Sequence, residues 1–325
     1  MPVAGVYRHL AKFPDQIQIA GGPDAGLYGQ LAEDLRHRLN AHIDETGENR
    51  DAATVRASKG SLENFDLLRK GEVHFALYQP GVVDVADEPI AFVANLYLQP
   101  AHLFVRKDLK LSSDKLHEGL KGKRVAIGIE ESGDFAMSNV ILEHLGLEKE
   151  GGEDGIAVQE YDAENYYEHV LQRFESGELD AAIITIGEEA DIFEKLVKTG
   201  KCEILEIPNC TALTREHVYL TKHTIPAGRY GSGANLSPVE DIETVASGAQ
   251  LLTRTDVPSN LVRTVTRIVL DKDFARENHL KELFDDSGHS FARQKPEFPV
   301  HEGALQVYGP EFDIHVFETW DAAYS

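Results

Sequence analysis

Two tripeptides carry residue types suited to holding a small anion. Lys59, Gly60 and Ser61 stand in "ASKGSLENFDLLRKGEVHFALYQP", and Ser132, Gly133 and Asp134 in "EESGDFAMSNVILEHLG". Each leads from a loop into an amphipathic stretch. A helix that opens on such a loop leaves its first amide N–H groups without intrahelical partners. Those groups, with a serine hydroxyl beside them, can bind a carboxylate oxygen. Ser61 is also expected to cap its helix, and one geometry can serve both roles. Lys59 has two readings of equal weight: a cation paired with a ligand carboxylate, or a solvated loop lysine. Asn64 lies one turn on and is expected to brace the loop. Gln79 and Thr185 each end a buried apolar run, "VHFALYQ" and "LDAAIIT", where a polar side chain needs a partner. Tyr28 follows Gly22 and Gly26 of "GGPDAGLYG" at another helix start. Its ring can cover a ligand or pack the helix on the sheet.

The elements around these residues read as βα units. "ATVRA" alternates as a strand, and Leu62, Phe65, Leu67 and Leu68 form a helical stripe that Gly71 ends. "VHFALY" is the next strand, which completes a right-handed βαβ unit of a parallel sheet. In such sheets ligands meet the carboxyl ends of strands and the N-termini of helices, the edge where Lys59, Gly60, Ser61 and Gln79 fall. "QIQIA" and the stretch from Leu27 to His42 repeat the pattern earlier. "RVAIGIEESGDFAMSNVIL", "AENYYEHVLQRFESG" and "LDAAIITIGEEADIFEKLVKTG" repeat it later. "PIAFVANLYLQPAHLFVRKD" reads as two extended runs broken at Gln99-Pro100. "ETVASGAQLLTRTDVPSNLVRTVTRIVL" gives a strand and a long amphipathic helix that can return the chain to its first half. The segment "RKGEVHFALYQ" echoes "ESGELDAAIIT". The expectation is two α/β lobes, lobe I from residues 1–105 plus 246–325 and lobe II from 106–245.

Composition narrows the partners. The chain has 325 residues and a formal net charge of -23, which argues against nucleic-acid phosphates and anionic lipid as binding surfaces. No stretch reaches the ~18 consecutive apolar residues of a membrane span. The opening "MPVAGVYRHLAKFPDQ" lacks a signal peptide's apolar segment, and a removed leader or anchor stays open. Cys202 and Cys210 flank "EILEI"; a bridge across a turn at Pro208-Asn209 and two free buried thiols are both open. Catalysis is not expected, for there is no Gly-x-Ser-x-Gly elbow, Walker loop or His-Glu-x-x-His. "GGPDAG" lacks dinucleotide-loop spacing, so no cofactor or metal is assigned. His102 reads as a satisfied core histidine.

Nearly the whole chain resembles the TAXI-type extracytoplasmic solute-binding proteins of TRAP transporters. The resemblance is carried by "IAGGPDAGLYGQLAEDL", "SKGSLENFDLLRKGEVHFALYQ", "NLYLQPAHLFVRKD", "LKGKRVAIGIEESGDFAMSNVIL", "GELDAAIIT", "IPAGRYG", "TRTDVPSNLVRTVTRIVL" and "FPVHEGALQVYG". It implies a type II periplasmic-binding-protein fold, with two α/β lobes joined by two hinge strands and a ligand cleft between them. It also implies a periplasmic or extracytoplasmic receptor that hands a small carboxylate, such as an amino acid, 2-oxoacid or dicarboxylate, to a TRAP-type membrane permease. Two alternatives on the same fold are a membrane-anchored sensing domain and, last, an enzyme. Three places depart from the family pattern. Lys59 replaces a small or neutral residue. Asp134 stands where threonine is usual, beside Glu130 and Glu131. "IGEEAD" follows "AAIIT", and its Glu188 and Glu189 are expected to face solvent. At Asp134 a ligand amino group, a cationic ligand, a bound metal and a solvent-facing helix-start acid all remain open.

Overall fold

The computed structural model describes residues 13–22, 26–45, 52–83, 88–149, 155–159, 165–284 and 288–309. The "PDA" of the first glycine-rich turn and both chain ends, including "EFDIHVFETWDAAYS", lie outside the described residues. The chain divides into two compact units. The first is Met1–Tyr78, Val85–Tyr97 and Ala249–Ser325, and the second is Gln79–Asp84 and Leu98–Gly248.

The first unit begins with strand β1 (Ile17–Ala20), helix α1 (Leu27–Glu45), strand β2 (Ala53–Arg56), helix α2 (Ser61–Arg69) and strand β3 (Phe75–Tyr78). Both β2 and β3 run parallel to β1, with Ile17 opposite Ala53 and Ile19 opposite Phe75. Leu31, Leu35, Leu39 and Ile43 recur every four residues on α1 and are all buried, so one face of the helix seals the sheet. Each such side chain contributes about 1.5–3 kcal/mol by burial. Asn40, on the same helix, is buried as well. Its Nδ2 donates to Ala53 O at 3.0 Å, and its Oδ1 accepts from Ala53 N at 2.8 Å. This pair of bonds fixes where β2 starts.

Strand β4 (Ile90–Arg106) carries the chain across the boundary at Tyr97 and Leu98. It is one continuous strand, not two runs broken at Gln99-Pro100. Antiparallel pairing with the second unit starts at Ala101, so the N–H that Pro100 lacks falls just outside that register.

The second unit continues with α3 (Leu116–Leu120), β5 (Arg124–Ala126), α4 (Gly133–His144), β6 (Glu148–Lys149), β7 (Gly155–Val158), α5 (Tyr166–Ser176), β8 (Ala181–Thr185), α6 (Asp191–Lys198), β9 (Cys202–Leu205), α7 (Cys210–Glu216) and β10 (Leu220–Ile225). β5 lies between β7 and β8, parallel to both. The second half of β4 runs antiparallel to β8, with Ala101 opposite Thr185. At the far end of these strands Asp180 accepts from Arg124 Nε and Nη2, each at 2.8 Å. The Arg124 hydrogen bonds hold the Asp180 carboxyl below its ordinary range. β10 pairs antiparallel with β11 (Ile242–Arg254), which returns the chain to the first unit at Ala249. There β11 lies antiparallel to β3, with Gln250 opposite Tyr78. Five helices close that unit: α8 (Ser259–Val269), α9 (Lys272–Glu277), α10 (Lys281–Phe284), α11 (Gly288–Ala292) and α12 (Glu302–Tyr308). Leu261, Val262, Val265 and Val269 of α8 enter the same core as α1.

Candidate functional site

In the first unit the expected residues gather at the carboxyl ends of β1, β2 and β3. Ser58, just past β2, donates its N–H to Gly22 O at 3.3 Å. Gly60 then adopts φ 140°, ψ −153°, a region open essentially to glycine alone, and this bend delivers the chain into α2. Ser61 is the first residue of the helix and not its cap; the cap position is Gly60, which has no side chain to bond with. Ser61 is buried. Lys59 is exposed, and its backbone N–H donates to Glu63 Oε2 at 2.8 Å. Asn64 is fully buried. Its Nδ2 donates to Gly21 O at 2.5 Å and Leu77 O at 2.6 Å, while its Oδ1 accepts from Ser58 Oγ at 2.6 Å. One amide therefore ties the ends of β1 and β3 to the loop after β2. Gly26 accepts the N–H of Gln30 at 3.1 Å, and Tyr28 is half-buried, its ring edge-on to Tyr97 at 6.4 Å.

The second unit holds the other five. Ser132 is a true helix cap, its Oγ accepting from Phe135 N at 3.0 Å. Gln79, the residue after β3, is buried, and its Nε2 lies 3.4 Å from Ser247 Oγ. Gly133 packs on Gln79 so closely that a Cβ there would overlap Gln79 Oε1 and Cβ and stand 2.7 Å from its Cδ. Asp134 Oδ1 accepts from Thr185 N at 2.7 Å, joining the first turn of α4 to the end of β8. Asp134 is only 6% exposed and Thr185 0%. Among the described residues, Asp134 Oδ2 and Thr185 Oγ1 have no hydrogen-bond partner. Burial raises the Asp134 pKa to about 7, against the opposing pull of the Thr185 amide and the Tyr167 hydroxyl.

Ser58, Ser247 and Tyr167 were not singled out from sequence. Ser58 is legible afterwards as a hydroxyl six residues before Asn64. Ser247 meets Gln79 across 168 positions, and no local pattern announces that.

Several other groups have settled roles. His102 is fully buried, with Nδ1 2.9 Å from Pro100 O and Nε2 2.7 Å from Tyr230 Oη. The carbonyl can only accept, so Nδ1 carries the proton and Nε2 accepts from the tyrosine. Desolvation lowers the His102 pKa to about 4. Glu188 does not simply face solvent. It is half-buried, bonded to His223 Nε2 at 2.8 Å and Arg229 Nε at 3.2 Å. Burial opposes its ionised form, yet these two partners bring its pKa to about 2. Glu189 is exposed and pairs with Arg229 at 2.7 Å. Cys202 and Cys210 are free, buried thiols, and desolvation raises them to about 12 and about 11. Among the described residues, no three His, Cys, Asp or Glu side chains are placed to hold a metal, and no helix is long and apolar enough to cross a membrane.

Chemically, each unit thus offers a helix N-terminus beside buried polar side chains. The second adds a carboxyl oxygen and a hydroxyl that lack partners among the described residues. Such an arrangement can orient a small polar molecule by hydrogen bonds.

A sequence model of the NMT1-like family matches residues 19–310. Among solved structures, XAC2383 from Xanthomonas citri bound to ATP is similar, at 13% identity and a TM-score of 0.55, over 91% of this chain and 96% of that one. The same protein bound to chloride ion gives 15% identity and a TM-score of 0.53 with the same coverage. The alkanesulfonate-binding protein SsuA from Xanthomonas axonopodis pv. citri, bound to MOPS, is 14% identical over 95% of each chain, with a TM-score of 0.45.

Proposed function

The chain belongs to the NMT1-like family and has the two-lobed α/β fold of the type II periplasmic-binding proteins, and from that premise we propose that it is an extracytoplasmic receptor for a small organic solute. The solute class is a carboxylate, and the receiving partner is a TRAP-type permease, in keeping with the TAXI-like motifs. In the first unit the proposed contacts are Gly22, Gly26, Tyr28, Lys59, Gly60 and Ser61, with Asn64 of the same set bracing them from behind; in the second unit, taken by itself, they are Gln79, Ser132, Gly133, Asp134 and Thr185.

One observation carries this reading. In each unit taken by itself, buried polar side chains collect where parallel strands end and a helix of nine or more residues begins. That edge is where open α/β sheets bind ligands. One histidine and both thiols, groups often used in acid–base or nucleophilic work, are engaged elsewhere. His102 is committed to Pro100 and Tyr230, and both thiols are buried with raised pKa values. Capture without turnover fits these facts. Asn64 serves by holding the loop, since its amide is already spent on Gly21 and Leu77.

A thermal-shift panel of amino acids, 2-oxoacids, dicarboxylates, sugars, polyamines and divalent ions tests the proposal. A ligand at a hundred times its dissociation constant adds ~2.7 kcal/mol to stability, which a melt resolves. Stabilisation by a carboxylate, with the compound recovered unchanged, supports the receptor. Stabilisation by sugars or divalent ions alone overturns the carboxylate class, and turnover of the bound compound overturns the receptor.

A further inference from the structure

Asp134 and Thr185 pose a problem that the second unit does not solve with its own side chains. An ionised carboxylate has about four acceptor sites, and Asp134 fills one of them, at Oδ1, from Thr185 N. Its Oδ2 and Thr185 Oγ1 are both buried, and no described residue donates to either. A buried carboxylate oxygen without a donor is costly, and buried polar groups in native proteins nearly always find a partner. Among the described residues the surroundings offer one donor near the carboxyl, the Tyr167 hydroxyl of α5, which favours its ionised form without a hydrogen bond to Oδ2. β8 contributes Thr185 itself, and Glu130 and Glu131 in the preceding turn are exposed. No charged side chain figures among the causes of the Asp134 shift.

We propose that Asp134 Oδ2 and Thr185 Oγ1 together seat a protonated amino group of the ligand, so that the receptor selects an amino acid over its 2-oxo or desamino counterpart. This rests on the receptor reading above. An ammonium group brings three donors and the opposite charge to a site that has acceptors and no cation. A second ligand carboxylate would be repelled by ionised Asp134 and could be held only by its protonated form. A metal ion would need further ligating side chains, and no third one of the described residues is in place. Gly133, packed on Gln79 without a side chain of its own, leaves the first turn of α4 free to present Asp134.

Isothermal titration of the full chain decides the matter. The probes are glutamate, leucine and serine, each beside its 2-oxo counterpart, and putrescine as an amine without a carboxylate. The expected result is that one amino acid binds at least about tenfold tighter than its 2-oxo counterpart, and that Asp134→Asn abolishes this preference. A measurement on the unaltered protein needs no variant. With burial raising the Asp134 pKa to about 7, seating an ammonium should release part of a proton at that pH, read from two buffers of different ionisation enthalpy. Equal affinity for the two members of every pair, survival of the preference in Asp134→Asn, or proton uptake on binding would overturn the proposal. If only putrescine binds, and does so through Asp134, the amino seat stands and the carboxylate receptor falls. If no probe binds, both fall.

Discussion

Replacing Asn64 by alanine removes one amide that holds three segments of chain together. Its two N–H groups go to Gly21 O and Leu77 O, and its carbonyl oxygen receives Ser58 Oγ. All three bonds lie within 2.6 Å, and the side chain is 0% exposed, so water does not take their place. At about 1 kcal/mol net for each bond, with a further cost for acceptors left buried, the loss comes to about 2–4 kcal/mol. For a chain of this size that lowers the melting temperature by roughly 3–6 °C. Guanidinium denaturation without ligand measures it. Asn64→Asp sharpens the test. A carboxylate there would face two carbonyl oxygens, so the group's pKa in the folded state is raised. The penalty is then full above that pKa and relieved as the pH falls through it. Asn64→Asp should therefore be the less stable variant at pH 7 and recover toward pH 4. A loss below about 1 kcal/mol in Asn64→Ala, or no recovery of Asn64→Asp with acid, would refute the bracing role.

Gly133→Ala should destabilise the second unit by up to about 2 kcal/mol, because overlap with Gln79 outweighs the helix propensity gained. Gln79→Ala should not rescue it, since the Cβ of residue 79 is itself in the way; a variant as stable as the parent in denaturant would sink the claim of close approach. Asp134 has a folded pKa of about 7 against an ordinary 3.8, so the folded state binds the extra proton. Stability should fall as pH rises from about 4 to 7, by no more than about 4 kcal/mol, and stay low above it; Asp134→Asn should flatten that slope, and an unchanged slope would mean another group titrates. Both thiols should react with Ellman's reagent only in denaturant, and prompt reaction of the native protein would contradict their burial.

The periodic elements were legible because one local rule sufficed for each. Leu31, Leu35 and Leu39 declare the buried face of α1, and "AAIIT" declares β8, without reference to anything distant. Failures came where a long-range contact decided. Pro100 reads as a break, but the strand runs through it because pairing with β8 starts one residue later. Ser61 reads as a cap. Gly60 holds that position instead, since only glycine adopts its φ of 140°. Glu188 reads as a solvated helix-start acid. Its partners His223 and Arg229 are 35 and 41 residues away, beyond any local pattern.

The echo between "RKGEVHFALYQ" and "ESGELDAAIIT" shows what sequence position can and cannot carry. It places Gln79 and Thr185 alike, each polar and buried at the exit of a strand. Their fates then diverge through neighbours that the echo does not contain. Gln79 packs on Gly133 and reaches Ser247. Thr185 spends its amide on Asp134 and leaves its hydroxyl without a partner among the described residues. A threonine at position 134 would bring a hydroxyl and no charge, and would ask little of a ligand. An aspartate there is buried at the cost of its own ionisation unless a donor arrives. Of the polar residues at these two strand exits and the helix start beside them, Asp134 is thus the one whose chemistry would most constrain a ligand held there.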